Sequence, residues 1–144
     1  MIVAGVAVKL EIVLEGRISL EMPSEEESIC GIASLTLKDL ICSKLLANSD
    51  CWNDDGVFNR DLIDLAHLPL TQAIWRRALA KAEEAYGDAV RTDLGKALER
   101  LQQRDGWLER CCQVLAIEAP RAALWQRLIN LQRLAAIPST PAQD

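Results

Sequence analysis

Aromatic residues are few in this sequence: one Phe, one Tyr and four Trp. Long apolar runs are missing too, and none reaches the roughly 18 residues that a membrane-spanning helix requires. The apolar start MIVAGVAVKLEIV has no early positive charge, and Lys9 and Glu11 interrupt it, so it reads poorly as a secretory signal. The five cysteines are odd in number and irregular in spacing. That argues against a disulfide framework and points to a reduced, cytoplasmic protein without membrane association. Cys30, Cys42 and Cys51 lack zinc-ligand spacing and Cys111 and Cys112 are adjacent, so all five are expected as buried packing. The motifs G-x-x-x-x-G-K-[ST], G-x-G-x-x-G and G-x-S-x-G are absent as well. The single histidine, His67, stands near a helix end and is expected to cap it rather than to catalyse.

What is present suffices for one domain: 144 residues, 50% of them hydrophobic, allow a core of useful size. The net charge of −5 is unevenly spread. Residues 1–68 carry 5 basic and 12 acidic side chains, whereas residues 69–144 carry 11 basic and 9 acidic. The acidic half suits a metal or cationic partner and the basic half suits phosphate, although such charge blocks usually mark solvated faces.

Two periodicities divide the chain. Val6, Val8, Leu10, Ile12 and Leu14 point one way while Lys9, Glu11 and Glu15 point the other; Glu15-Gly16 suits a turn, and Ile18, Leu20 and Met22 continue the alternation. This predicts a β-hairpin, which needs cover from helices or further sheet. Pro23 to Ser28 reads as an acidic loop. Thr36-Leu37-Lys38-Asp39 has the form of a capping box, followed by an apolar stripe of Leu37, Leu40, Ile41 and Leu45 that ends near Asn48. A second helix is expected over 59–68, with Phe58, Leu62 and Leu65 on its buried face and Pro69 as its stop. Helices over 71–86, 88–104, 107–117 and 120–136 follow, with Trp75, Trp107 and Trp125 expected in the core. The fold class is α+β: an N-terminal β-hairpin, then a mostly helical bundle of five to six helices. Its expected divisions are a hairpin and acidic loop over 1–34, a helical domain over 35–137 and a disordered tail over 138–144.

The polar residues of the first two helices form the one suggestive constellation. Lys44 lies seven residues after Leu37, along the apolar stripe, so it either snorkels to the edge or faces a buried anion. Asp61 and Asp64 are three apart on one helix face. Arg60 and Asp64 are spaced to pair, and Asp39 is placed to cap its own helix.

The run LTLKDLICSKLLANSD followed by GVFNRDLIDLAHL resembles the nucleotidyltransferase family of AbiEii/AbiGii-type toxins, which carries a D-x-x-x-x-K helix and then an R-D-x-x-D helix. Asp39 to Lys44 and Arg60-Asp61 to Asp64 match these, and the likeness extends back to VKLEIV and forward to about Arg133. It implies a relative of polymerase-beta-type nucleotidyltransferases, using Mg²⁺ and an NTP to transfer a nucleotide to an RNA or protein acceptor, with an antitoxin as partner. It further implies that Lys44 contacts the nucleotide's phosphates, with Asp61 and Asp64 orienting it as part of the catalytic group. Asp39 and Arg60 would support the site, and Glu11 would take the position of the third metal-binding carboxylate. The family's G-[GS]-…-D-x-D segment, which supplies the other two, is not present in this sequence. Cys51 and Asp55 stand where basic residues are expected. The resulting expectation is a truncated member retaining a remnant of the palm sheet, inactive alone unless a separate polypeptide supplies the missing carboxylates. The alternative is a non-catalytic helical module that associates with a partner or a second copy through its exposed sheet edge. A weaker reading is RNA binding through Arg76, Arg77, Lys81, Arg91 and Arg100.

Overall fold

Thr36 starts the helical part as its spacing predicts. Its hydroxyl accepts a hydrogen bond from the Asp39 N–H at 3.2 Å and caps helix α1, Leu37–Cys51. The computed structural model describes residues 2–3, 5–7 and 14–138. Within them α1 is followed by α2 (Arg60–His67), α3 (Gln72–Tyr86), α4 (Ala89–Gln103), α5 (Trp107–Val114) and α6 (Arg121–Ala135). Thr71 caps α3, and Pro69 separates it from α2. Gly87 and Gly106, at φ of 65° and 69°, make the left-handed turns between α3 and α4 and before α5. α1 runs three residues past its expected end because Asn48 faces inward and is only 3% exposed. Tertiary burial there outweighs a polar local sequence.

α1 is the central helix. It packs against α2, α3 and α4, while α6 closes over α2 and α4. Ile41, Leu45 and Leu46 of α1 meet Leu62 and Leu65 of α2, Trp75 and Leu79 of α3 and Leu94 of α4 in one aliphatic core, to which α6 adds Leu124 and Leu128. Of the three tryptophans expected inside, Trp75 and Trp107 are buried, but Trp125 is 37% exposed on α6. Cys42 and Cys111 are buried, and desolvation pushes both thiols up to about 11. Cys30, contrary to expectation, is exposed at a hairpin turn with φ of 53°.

The β part is an N-terminal hairpin, as expected, but its strands are shorter and placed differently. β1 (Ile2–Val3) pairs antiparallel with β2 (Val6–Ala7), and a second small hairpin pairs β3 (Ser28–Ile29) with β4 (Ile32–Ala33). The expected strand 18–22 is irregular, with a bend at Ile18 and no ladder through the residues after it. Its backbone groups are taken by helix side chains instead: Lys81 donates to the Ser19 carbonyl, and the Glu21 N–H donates to Asp39 Oδ2 at 2.6 Å. The expected tail from 139 onward and the expected strand residues 8–13, Glu11 among them, lie outside the described residues.

The α1–α2 connection holds the helices in register. Phe58 and Asn59 both take left-handed backbone, at φ of 54° and 49°. Phe58 is therefore not on the second helix but in the loop before it, stacked on Trp107 with centroids 5.9 Å apart. Asn59 is buried, its Oδ1 accepts from the Trp107 indole N–H at 2.8 Å, and its amide donates to the Trp52 carbonyl at 3.2 Å. Asn is among the few residues that adopt this backbone readily. Asn59→Ala strands the indole donor and places Ala at positive φ, so urea denaturation should show a loss of about 2–3 kcal/mol. A loss below about 0.5 kcal/mol would mean that this loop is not held by Asn59.

Candidate functional site

Lys44 sits in the middle of α1, three residues after the buried Ile41 and four before the buried Asn48. That register turns its side chain toward α2. There Asp61 lies in the first turn and Asp64 one turn later, so both carboxylates face the same side. Lys44 Nζ donates to Asp61 Oδ1 at 2.8 Å and to Asp64 Oδ2 at 2.6 Å. The choice left open by the sequence, snorkelling or facing an anion, resolves as a partly buried ammonium held by two anions. The Asp61 side chain is 9% exposed and that of Asp64 43%. Burial pulls the Lys44 pKa down, but the hydrogen bonds it donates to Asp61 and Asp64 outweigh this and hold the pKa above its usual value. The ammonium therefore stays charged across the physiological range. An ammonium has three N–H donors, and two are committed to these carboxylates.

Asp39 and Arg60 are not brought into this cluster. The Asp39 side chain is fully buried and pairs with Lys81 of α3, while its second oxygen accepts the Glu21 N–H. Burial pushes the Asp39 pKa up, but the Lys81 and Glu21 hydrogen bonds overcome this and hold it below the ordinary carboxylate range. Arg60 is exposed and forms no ion pair among the described residues, so the expected pairing with Asp64 gives way to Lys44. His67 is in the last turn of α2, with Nδ1 2.8 Å from the Ile63 carbonyl, in keeping with a capping role. Lys81 and Asn59, which hold the two helices in place, were not singled out as site supports. Their partners lie 42 and 48 residues away along the chain, beyond any local pattern.

No group of His, Cys, Asp and Glu able to hold a metal ion occurs among the described residues. Asp61 and Asp64 share the Lys44 ammonium, which offsets one of their two charges and occupies the space between them, so they do not fit a two-metal centre. The five basic residues considered for RNA are largely committed elsewhere. Lys81 holds Asp39, Arg100 holds Asp55, and Arg91 pairs with Glu83 and donates to the carbonyls of Ala135 and Ile137 at 3.2 and 2.9 Å.

Three outcomes test this geometry. Lys44→Met leaves the buried Asp61 unpaired and should cost about 1–2 kcal/mol by denaturant unfolding, less than a fully buried pair because Asp64 is open to solvent. Asp64→Asn should cost less than Asp61→Asn, and the reverse order would contradict the burial assigned to them. For Asp39 the folded-state pKa is depressed, so its stabilisation is full above about pH 4 and is lost as pH falls further. Asp39→Asn should accordingly lower stability at pH 7 and flatten the decline between about pH 4 and pH 2, read by urea melts at each pH.

Residues 3–133 match the family model described as nucleotidyl transferase AbiEii toxin, type IV TA system. Comparison with curated proteins and with solved structures gives no match. The family match spans both helical motifs, the Lys44 cluster and the bundle around it, and on that extent the chain belongs to the AbiEii nucleotidyl transferase toxin family.

Proposed function

We propose that this chain holds the phosphate-binding, helical half of a nucleotidyl-transfer site. The observation that carries the reading is the Lys44 ammonium fixed between Asp61 and Asp64, charged and with one N–H donor that makes no hydrogen bond among the described residues. An NTP phosphate oxygen would take that donor, and the two carboxylates would fix where it is presented. Lys44, Asp61 and Asp64 would then act together, with Asp39 and Arg60 supporting the site from outside its contacts. The metal ions would stabilise the charge that develops on transfer, and the residues that would hold them are not assembled here. The sequence carries no G-[GS]-…-D-x-D segment. We therefore take the chain to be inactive alone, transferring a nucleotide to RNA or protein only with carboxylates from a further polypeptide segment. An antitoxin partner follows from the family. In this reading residues 1–34 belong to the palm sheet and 35–137 form the helical domain.

Incubation of the purified chain with labelled NTPs, Mg²⁺ and bulk RNA should give no labelled RNA and no labelled protein, and robust transfer would contradict the inactive reading. Equilibrium dialysis with ATP should show measurable binding that weakens about tenfold in Lys44→Met, the worth of one charge-assisted hydrogen bond.

A second reading is favoured by one observation. Ile29 and Ile32 flank the β3–β4 turn at 69% and 72% exposure, near Met22 in sequence at 91%. Such an apolar hairpin, with no further strand beside it among the described residues, suits pairing with a second copy. Light scattering after size exclusion should then show a dimer that Ile32→Lys dissociates, and a monomer at high concentration would exclude it.

A further inference from the structure

A cleft opens between the α1–α2 loop and the start of α5, away in sequence from Lys44, with a volume of about 490 Å³. Phe58 and Trp107 form its aromatic wall, stacked with their planes 20° apart. Arg104 and Arg100 lie over the Trp107 ring, at 4.1 and 5.5 Å from its centroid. Both guanidinium groups converge on a single oxygen, Asp55 Oδ1, Arg104 from 2.8 Å. Arg110 and Asp105 line the same cleft; both are exposed and neither makes an ion pair among the described residues, so the free cation there faces one free carboxylate. Gly106 at the start of α5 has open space where a Cβ would stand, so a ligand can approach the backbone there.

Two forked cations sharing one carboxylate oxygen are in the arrangement that arginines use for a phosphate, with a side chain in the phosphate's place. The Asp55 side chain is 53% exposed, so its ion pairs are solvated and weak. A terminal phosphate brings more oxygens and more charge than the carboxylate it would replace, and a backbone phosphodiester brings equal charge with further phosphates on either side. Arg110 adds a third cation on which Asp55 makes no claim.

We propose that this cleft binds a phosphate group, presented by a free nucleotide or by an RNA backbone, and that Asp55 is its internal competitor, displaced from Arg100 and Arg104 when the ligand enters. The Trp107 ring gives both guanidinium groups a contact that remains when Asp55 leaves. This is a binding site distinct from Lys44 and does not depend on nucleotidyl transfer.

The test is calorimetric titration of the whole chain at low salt with pyrophosphate, with metal-free ATP and with a short single-stranded RNA. Asp55→Asn should bind about tenfold tighter than the unaltered chain and Arg104→Gln about tenfold weaker, with Arg110→Gln intermediate. All three side chains are exposed, so the fold is retained, which a thermal melt verifies. Lys44 is intact in each variant, so these differences report on this cleft even if Lys44 binds no nucleotide. Binding of pyrophosphate and ATP without RNA assigns a free nucleotide, and stronger, salt-sensitive RNA binding assigns a backbone. The proposal is overturned if Asp55→Asn does not strengthen binding, or if Arg104→Gln leaves it unchanged. It is equally overturned if polyglutamate alone binds with the same arginine dependence, which would make the cleft a site for an acidic protein surface.

Discussion

Helix α1 runs through the middle of the bundle carrying two charges, Asp39 and Lys44, that burial does not allow to remain single. An ion withdrawn from water needs a partner, and removing that partner leaves a charge in a medium that solvates it poorly. Asp39 finds Lys81 on α3 and Lys44 finds Asp61 and Asp64 on α2. These pairings set the rotation of α1 against both neighbours, which apolar contacts alone fix less sharply because leucine rows tolerate sliding. The same constraint draws in residues 19–21, whose backbone answers Lys81 and Asp39 in place of a neighbouring strand.

Viewed this way, the two helical motifs have different tasks. The first acid, Asp39, ties the helical bundle to the segment that enters it. The lysine and the two later acids form a compact charged cluster at the α1–α2 face. A carboxylate pair bound to an ammonium is a poor metal site but a good holder for a lysine that meets a phosphate. That division agrees with a chain belonging to a nucleotidyl transferase toxin family.

Much of this was legible in the sequence because it is local. Caps at Thr36 and Thr71, breaks at Pro69, Gly87 and Gly106, and the three-residue spacing of Asp61 and Asp64 all follow from neighbouring residues. What was not legible depends on contacts far apart in the chain. Alternation of Ile18, Leu20 and Met22 reads as a strand, but a strand needs a partner, and here the partners are helix side chains. Helical spacing marks Trp125 as core, yet it falls on the outer side of α6. Arg60 and Asp64 have the right separation to pair, but Lys44, from another helix, takes that carboxylate. Asp55, an acid where a base was expected, is balanced by two arginines from α4 and the turn after it.

The central claim is that Lys44, held by Asp61 and Asp64, is the group that meets the nucleotide's phosphate. Nitrogen NMR of the lysine ammonium groups tests it most directly, since the chain has only five lysines and Lys44 can be assigned from Lys44→Arg. On titration with ATP, the Lys44 ammonium signal should shift and its protons exchange more slowly, while that of Lys81, sequestered by Asp39, stays fixed. Saturating ATP with no change at Lys44 would contradict the account.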